Sequence, residues 1–143
     1  MSALAGAGAG IVSGLVSGYF SARWQAKRSA EERKDVRKQE ALDNLKMLSR
    51  RLINAMEVRP SIAELMVDWQ PLEHAARELV ERWDTELVDR IPDEGIHNLM
   101  ARLKGEFRDL QAAHEEGSNS LTSRFYMRLR RTAIDLDHSL REL

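Results

Sequence analysis

Two acid–histidine pairs in this chain have the spacing of metal ligands. Glu94-Gly-Ile-His97 and Asp135-Leu-Asp-His138 each set a carboxylate and an imidazole three residues apart, on one face of a helix. Carboxylate-bridged di-metal bundles use such pairs on two helices, with single glutamates from two others. Here, however, Asp93 and Glu94 follow Pro92 at a helix start, where compensation of the helix dipole already accounts for them, and Asp replaces Glu in the second pair. Both pairs are read as solvated surface, and no metal is assigned. His74 and His114 are read as bundle-edge residues, not proton carriers. There is no Gly-rich phosphate loop after a strand, no cysteine nucleophile, and no HExxH or paired-cysteine pattern. No catalytic residue and no cofactor are assigned, and the chain is not expected to be an enzyme.

A second kind of chemistry is concentrated near the C-terminus. Arg124, Arg128 and Arg131 share one helix face within the run Arg-Phe-Tyr-Met-Arg-Leu-Arg-Arg. Such a stripe could serve nucleic acid, but the chain's net charge of −1 argues against that partner. Ion pairing to acidic helices in the middle of the chain is the plain expectation. Contact with phospholipid headgroups or a protein partner is the functional alternative. Trp69 and Trp83 are expected as core anchors.

The third pattern is a packing surface. Glycine falls at Gly6, Gly10, Gly14 and Gly18, inside a stretch from Met1 to Ala22 with no charged side chain, and Ala22 continues the column. Ser13, Ser17 and Ser21 form a second small column, and Ile11, Val12, Leu15, Val16, Tyr19 and Phe20 supply the bulk. At about 1.5 Å per residue, Ala3 to Ala22 reaches about 30 Å, the thickness of a bilayer's hydrocarbon core. Lipid offers no hydrophobic drive between helices, so close backbone approach over small residues is a main source of association energy. Four glycines each cost roughly 1 kcal/mol of helix propensity relative to Ala, which a plain anchor has no reason to carry. The segment lacks the basic leader and Leu-rich core of a secretory signal. It reads as a transmembrane helix, residues 1–24, that packs on another copy or on another membrane protein. If the glycines make the contacts, the serine column, about 100° round the helix, faces a central axis and could line a narrow lumen. A serine can equally satisfy itself on the carbonyl four residues earlier.

The flanks of that segment give its orientation. Arg23, Lys27, Arg28, Arg33, Lys34, Arg37 and Lys38 follow it, against Glu31, Glu32 and Asp35. By the positive-inside rule the N-terminus faces out and the rest of the chain is cytoplasmic. Tyr19, Arg23, Trp24, Lys27 and Arg28 are expected at the membrane interface. The absence of cysteine agrees with a reducing compartment. Arg far outnumbers Lys and Ala is abundant, as in GC-rich genomes, so the expected location is a bacterial inner membrane.

These features have to be held by helices. From Val36, the apolar positions Leu42, Leu45, Leu48, Leu52 and Met56 recur every three or four residues, so one long helix is predicted to about Val58, stopped by Pro60. A basic juxtamembrane helix is placed at 25–59 and a helical bundle at 60–143. Ser61 with Glu64 reads as a capping box for a short helix through Trp69. Further helices are predicted from Pro71 to about Asp89 and from Pro92 through Leu110, then a last one after the turn and cap Gly117-Ser118-Asn119-Ser120. Residues 1–60 hold eleven Lys/Arg and six Asp/Glu, residues 61–118 six and fourteen, and residues 119–143 five and three. Acidic middle helices between basic outer ones follow from that partition. The expected fold is all-α: a glycine-zipper span continuing into a cytoplasmic antiparallel helical bundle. The expected function is a self-assembling single-pass membrane protein whose spans could form a pore or channel, with the cytoplasmic helices as an assembly or gating domain. A tethered accessory subunit on another membrane protein is the alternative. Membrane lipid and a homo-oligomeric or membrane-protein partner are expected; nucleic acid is not.

Overall fold

The computed structural model describes residues 7–57 and 69–143, with side chains from Trp24 onward. The elements among them are helical: α1 (Ala7–Glu57), α2 (Gln70–Arg82) running into a π-helical turn (Trp83–Leu87), α3 (Glu94–Glu116) and α4 (Asn119–Glu142). Two compact units divide the chain, Met1–Arg37 and Lys38–Leu143, with the boundary inside α1.

In the first unit the backbone is helical from Ala7, through the positions of Gly10, Gly14 and Gly18. Among the described residues no helix is long and apolar enough to cross a membrane. The uncharged segment expected to do so lies outside the described side chains. From Trp24 to Arg37 every side chain is exposed.

The second unit is a helical bundle. The leucine stripe of α1 forms one wall, with Leu42, Leu45, Leu48, Leu52 and Met56 all buried. Burial of a leucine side chain contributes about 1.5–3 kcal/mol, so this stripe, more than propensity, holds the helix in place. Its apolar face meets those of α2 (Leu72, Ala76, Leu79), α3 (Met100, Leu103, Leu110) and α4 (Leu129, Leu136, Leu140) in one core. Polar clasps fix the register. Asp137 of α4, nearly buried, takes Arg50 of α1 at 3.3 Å and Arg141 of its own helix at 2.7 Å. Arg51 of α1 reaches Glu78 of α2 at 3.4 Å. The Tyr126 hydroxyl donates to the Met56 carbonyl in the last turn of α1, satisfying one of the acceptors that a helix end leaves open.

The predicted helix to Asp89 is regular only to Arg82, after which it widens into the π-turn, with the Val88 N–H bonded to the Trp83 carbonyl. The apolar run Leu79, Trp83, Leu87 and Ile91 repeats every fourth residue. Each such step carries an α-helix about 40° past a full circle, so a regular helix would rotate Leu87 and Ile91 away from the core. The wider turn delays that rotation, and both stay buried.

The predicted start at Pro92 shifts to Glu94, because Asp93 stands outside the helix as its N-cap and accepts from the Ile96 N–H at 3.0 Å. Gly117, at φ 72°, ends α3 in the left-handed conformation that glycine adopts without steric cost. Its N–H bonds to His114 and that of Ser118 to Ala113, the paired closure of a Schellman motif. Ser118 then caps α4 at once. Asn119 and Ser120, expected in the turn, are already helical. This two-residue connection folds α3 and α4 back on each other as a hairpin. Of the short helix expected over Ser61–Trp69, only Trp69 is described: it is buried at the N-cap of α2.

Candidate functional site

The expected interface residues come first along the chain. Trp24 is 62% exposed, and the Arg28 guanidinium lies over its ring at 5.3 Å from the centroid. Arg28 also meets Glu32 one turn on, at 3.4 Å. Both contacts stay on one helix face, and Lys27 is exposed beside them. Such a ring–cation pair offers an amphipathic surface, an apolar plane edged by charge. The packing column Gly6, Gly10, Gly14, Gly18 and Ala22, the serines Ser13, Ser17 and Ser21, and Tyr19 and Arg23 lie outside the residues whose side chains are described.

The second place is the outward face of α4. Its inward positions, Thr122, Tyr126, Leu129, Thr132, Ala133, Leu136 and Leu140, are buried, which turns Arg124 and Arg131 to solvent. Among the described residues, the expected ion pairs from Arg124 and Arg131 to acidic middle helices are not seen. Four acids of α2 and the π-turn bond elsewhere: Glu73 to Arg77, Glu78 to Arg51, Glu86 to Arg82, and Asp84 to Lys104. Among the described residues Arg124, Arg130 and Arg131 have no carboxylate partner. Arg128 lies over the Phe125 ring at 5.8 Å and acts on Glu106 of α3. Between these cations stand two apolar side chains, Met127 of the basic run, 55% exposed, and Ile134, not anticipated from the sequence, 42% exposed. They lie off the Leu129–Leu136 core stripe, and that offset was the available signal. A groove of about 530 Å³ runs along this face, lined by Met127, Arg128, Arg130, Arg131, Ile134 and Asp135. The arrangement can receive an anionic surface that also offers apolar contact.

Glu106 marks the inner edge of the same region. Burial raises its carboxyl above the ordinary glutamate range, against the hydrogen bond from Thr132 and the charges of Arg102 and Arg128, which lower it; nearby Asp109 raises it further. One carboxyl oxygen, Oε2, is buried without a hydrogen-bond partner.

The acid–histidine pairs are engaged in local structure. The His97 ring donates from Nε2 to the Ile91 carbonyl at 2.6 Å and meets Trp83 edge-on, with centroids 5.0 Å apart. His138 faces Glu142 of its own helix at 3.0 Å. Among the described residues no group of three or more His, Cys, Asp or Glu side chains could hold a metal ion. His114 stacks on Trp69 at 4.4 Å, and His74 is exposed beside Glu78. Trp69 and Trp83 are both buried in the core.

Compared with known protein families, curated proteins and solved structures, the chain matches none.

Proposed function

We propose that this chain is a single-pass membrane protein that assembles with copies of itself through its N-terminal glycine column, with the bundle as a cytoplasmic assembly domain and no catalytic role. One observation carries the reading: an uncharged stretch from Met1 to Ala22 with glycine at every fourth position from Gly6 to Gly18, followed at once by seven Lys/Arg between Arg23 and Lys38. Glycine so placed weakens a helix unless a second backbone approaches it closely, and lipid is the setting in which such approach drives association. The basic exit sets the orientation. The exposed Trp24–Arg28 pair suits the headgroup boundary. A lumen lined by Ser13, Ser17 and Ser21 would rest on register alone and is not part of the reading.

Topology is the direct test. The chain has no cysteine, so single cysteines report cleanly. One placed at Ser2 should react with a membrane-impermeant thiol reagent added outside intact cells, and one at Ser118 should not. Reversed labelling would put the bundle outside the cytoplasm, and labelling of both in intact cells would remove the span.

A further inference from the structure

We propose that the outward face of α4 is a second membrane contact, which docks on the anionic lipid surface of the leaflet that α1 leaves. The inference rests on the membrane reading above. Its own support lies in the bundle, where Arg128, Arg130 and Arg131 line the groove with Met127 and Ile134, and exposed Arg124 extends the same helix face one turn back. Seven residues, or about 10.5 Å along the axis, separate those two apolar side chains, so both can enter the headgroup layer while the flanking guanidiniums meet phosphates.

Charge selects the occupant. The same face of a second copy would bring four arginines against four, with only Asp135 to offset them on each side. On the acidic α2 of a second copy, Glu73 and Glu78 are already paired on their own chain, with Arg77 and Arg51. An anionic bilayer has a continuous supply of phosphate and needs no matching relief. Clusters of four or more Lys/Arg on an amphipathic helix are a pattern that anionic leaflets attract, at about 1 kcal/mol for each cation near the surface. Two exposed apolar side chains add a contact that a purely electrostatic surface would not need.

The test uses the full chain with Ile134→Cys carrying an environment-sensitive fluorophore, reconstituted in vesicles of phosphatidylcholine alone or with one third phosphatidylserine. The probe should shift to the blue, and be quenched by a nitroxide at the lipid headgroup, only with phosphatidylserine. The shift should vanish at high salt. Arg124→Gln with Arg131→Gln, at exposed positions that bond to nothing described in the fold, should lower the ratio of docked to free bundle roughly thirtyfold. An unchanged melting temperature of that variant shows that the bundle is intact.

A probe indifferent to phosphatidylserine overturns the inference, while retention of the chain in the vesicles through carbonate washing leaves the membrane reading standing. If carbonate releases the chain, the membrane reading fails, and the probe's response to phosphatidylserine still decides for or against the face. An equal blue shift with soluble polyglutamate and no vesicles would overturn the lipid assignment in favour of an acidic protein.

Discussion

Within α1, residues 24–40 and 41–57 share one kind of backbone and differ in what their side chains meet. From Trp24 to Glu40 each is exposed, Val36 at 55%. From Ala41 onward a stripe is buried, with Leu45 and Leu52 at 0%. The first stretch alternates charge without an apolar face, and its described support is local, Arg28 with Glu32 and with Trp24. Pairs of that kind stabilise a helix by only about 0.2–0.5 kcal/mol each. The second stretch is held by a core made from four helices. Helix propensity is similar on both sides, so periodicity of apolar residues, not propensity, decides which part of α1 is fixed by packing.

Truncating one side chain in each stretch should give very different losses of stability. Leu45→Ala should cost about 2–5 kcal/mol, because a fully buried leucine loses both its transfer energy and its packing partners. Val36→Ala, at an exposed site, should stay within about 0.5 kcal/mol. Urea unfolding followed by circular dichroism measures both, and equal effects would mean that α1 is packed alike along its length.

The sequence shows the packed half well. Leu42, Leu45, Leu48, Leu52 and Met56 are the predicted stripe, and all are buried. Gly117 likewise announces its turn, since a glycine between two apolar periodic runs points to a left-handed helix end. What is not legible depends on partners distant in sequence. The fate of Arg124 and Arg131 could not be read, because it depends on distant neighbours: Glu73, Glu78, Asp84 and Glu86 pair with Arg77, Arg51, Lys104 and Arg82, and only the folded arrangement shows who is nearer. The clasp of Asp137 by Arg50 joins residues on the first and last helices and has no local signature. The π-turn at Trp83 did leave one, the strict spacing of four through Ile91, which a regular helix cannot keep facing one core.

A smaller effect sharpens the contrast from the bundle side. The Glu106 carboxyl is raised chiefly by burial, so the folded chain holds that proton more tightly than the unfolded chain. The resulting stability is fully present below the ordinary glutamate range and is lost as pH rises through the higher folded value. Glu106→Gln should therefore flatten the fall in stability just above that range and leave the variant modestly more stable at neutral pH. Thermal melts across pH 4 to 8, a window of about four units around the carboxylate range, read this directly. An unchanged slope would show that the orphaned oxygen costs nothing.

The proposed self-assembly rests on the glycine column that precedes the packed half. Full-length chain in phospholipid vesicles, labelled at single cysteines with donor and acceptor dyes, should show energy transfer between copies that rises with protein-to-lipid ratio and saturates. Gly10→Leu with Gly14→Leu thickens the contact face while making the span more apolar, so transfer should fall to the level of random encounter with membrane insertion retained. Native-level transfer in that inserted variant would contradict self-assembly through the glycines.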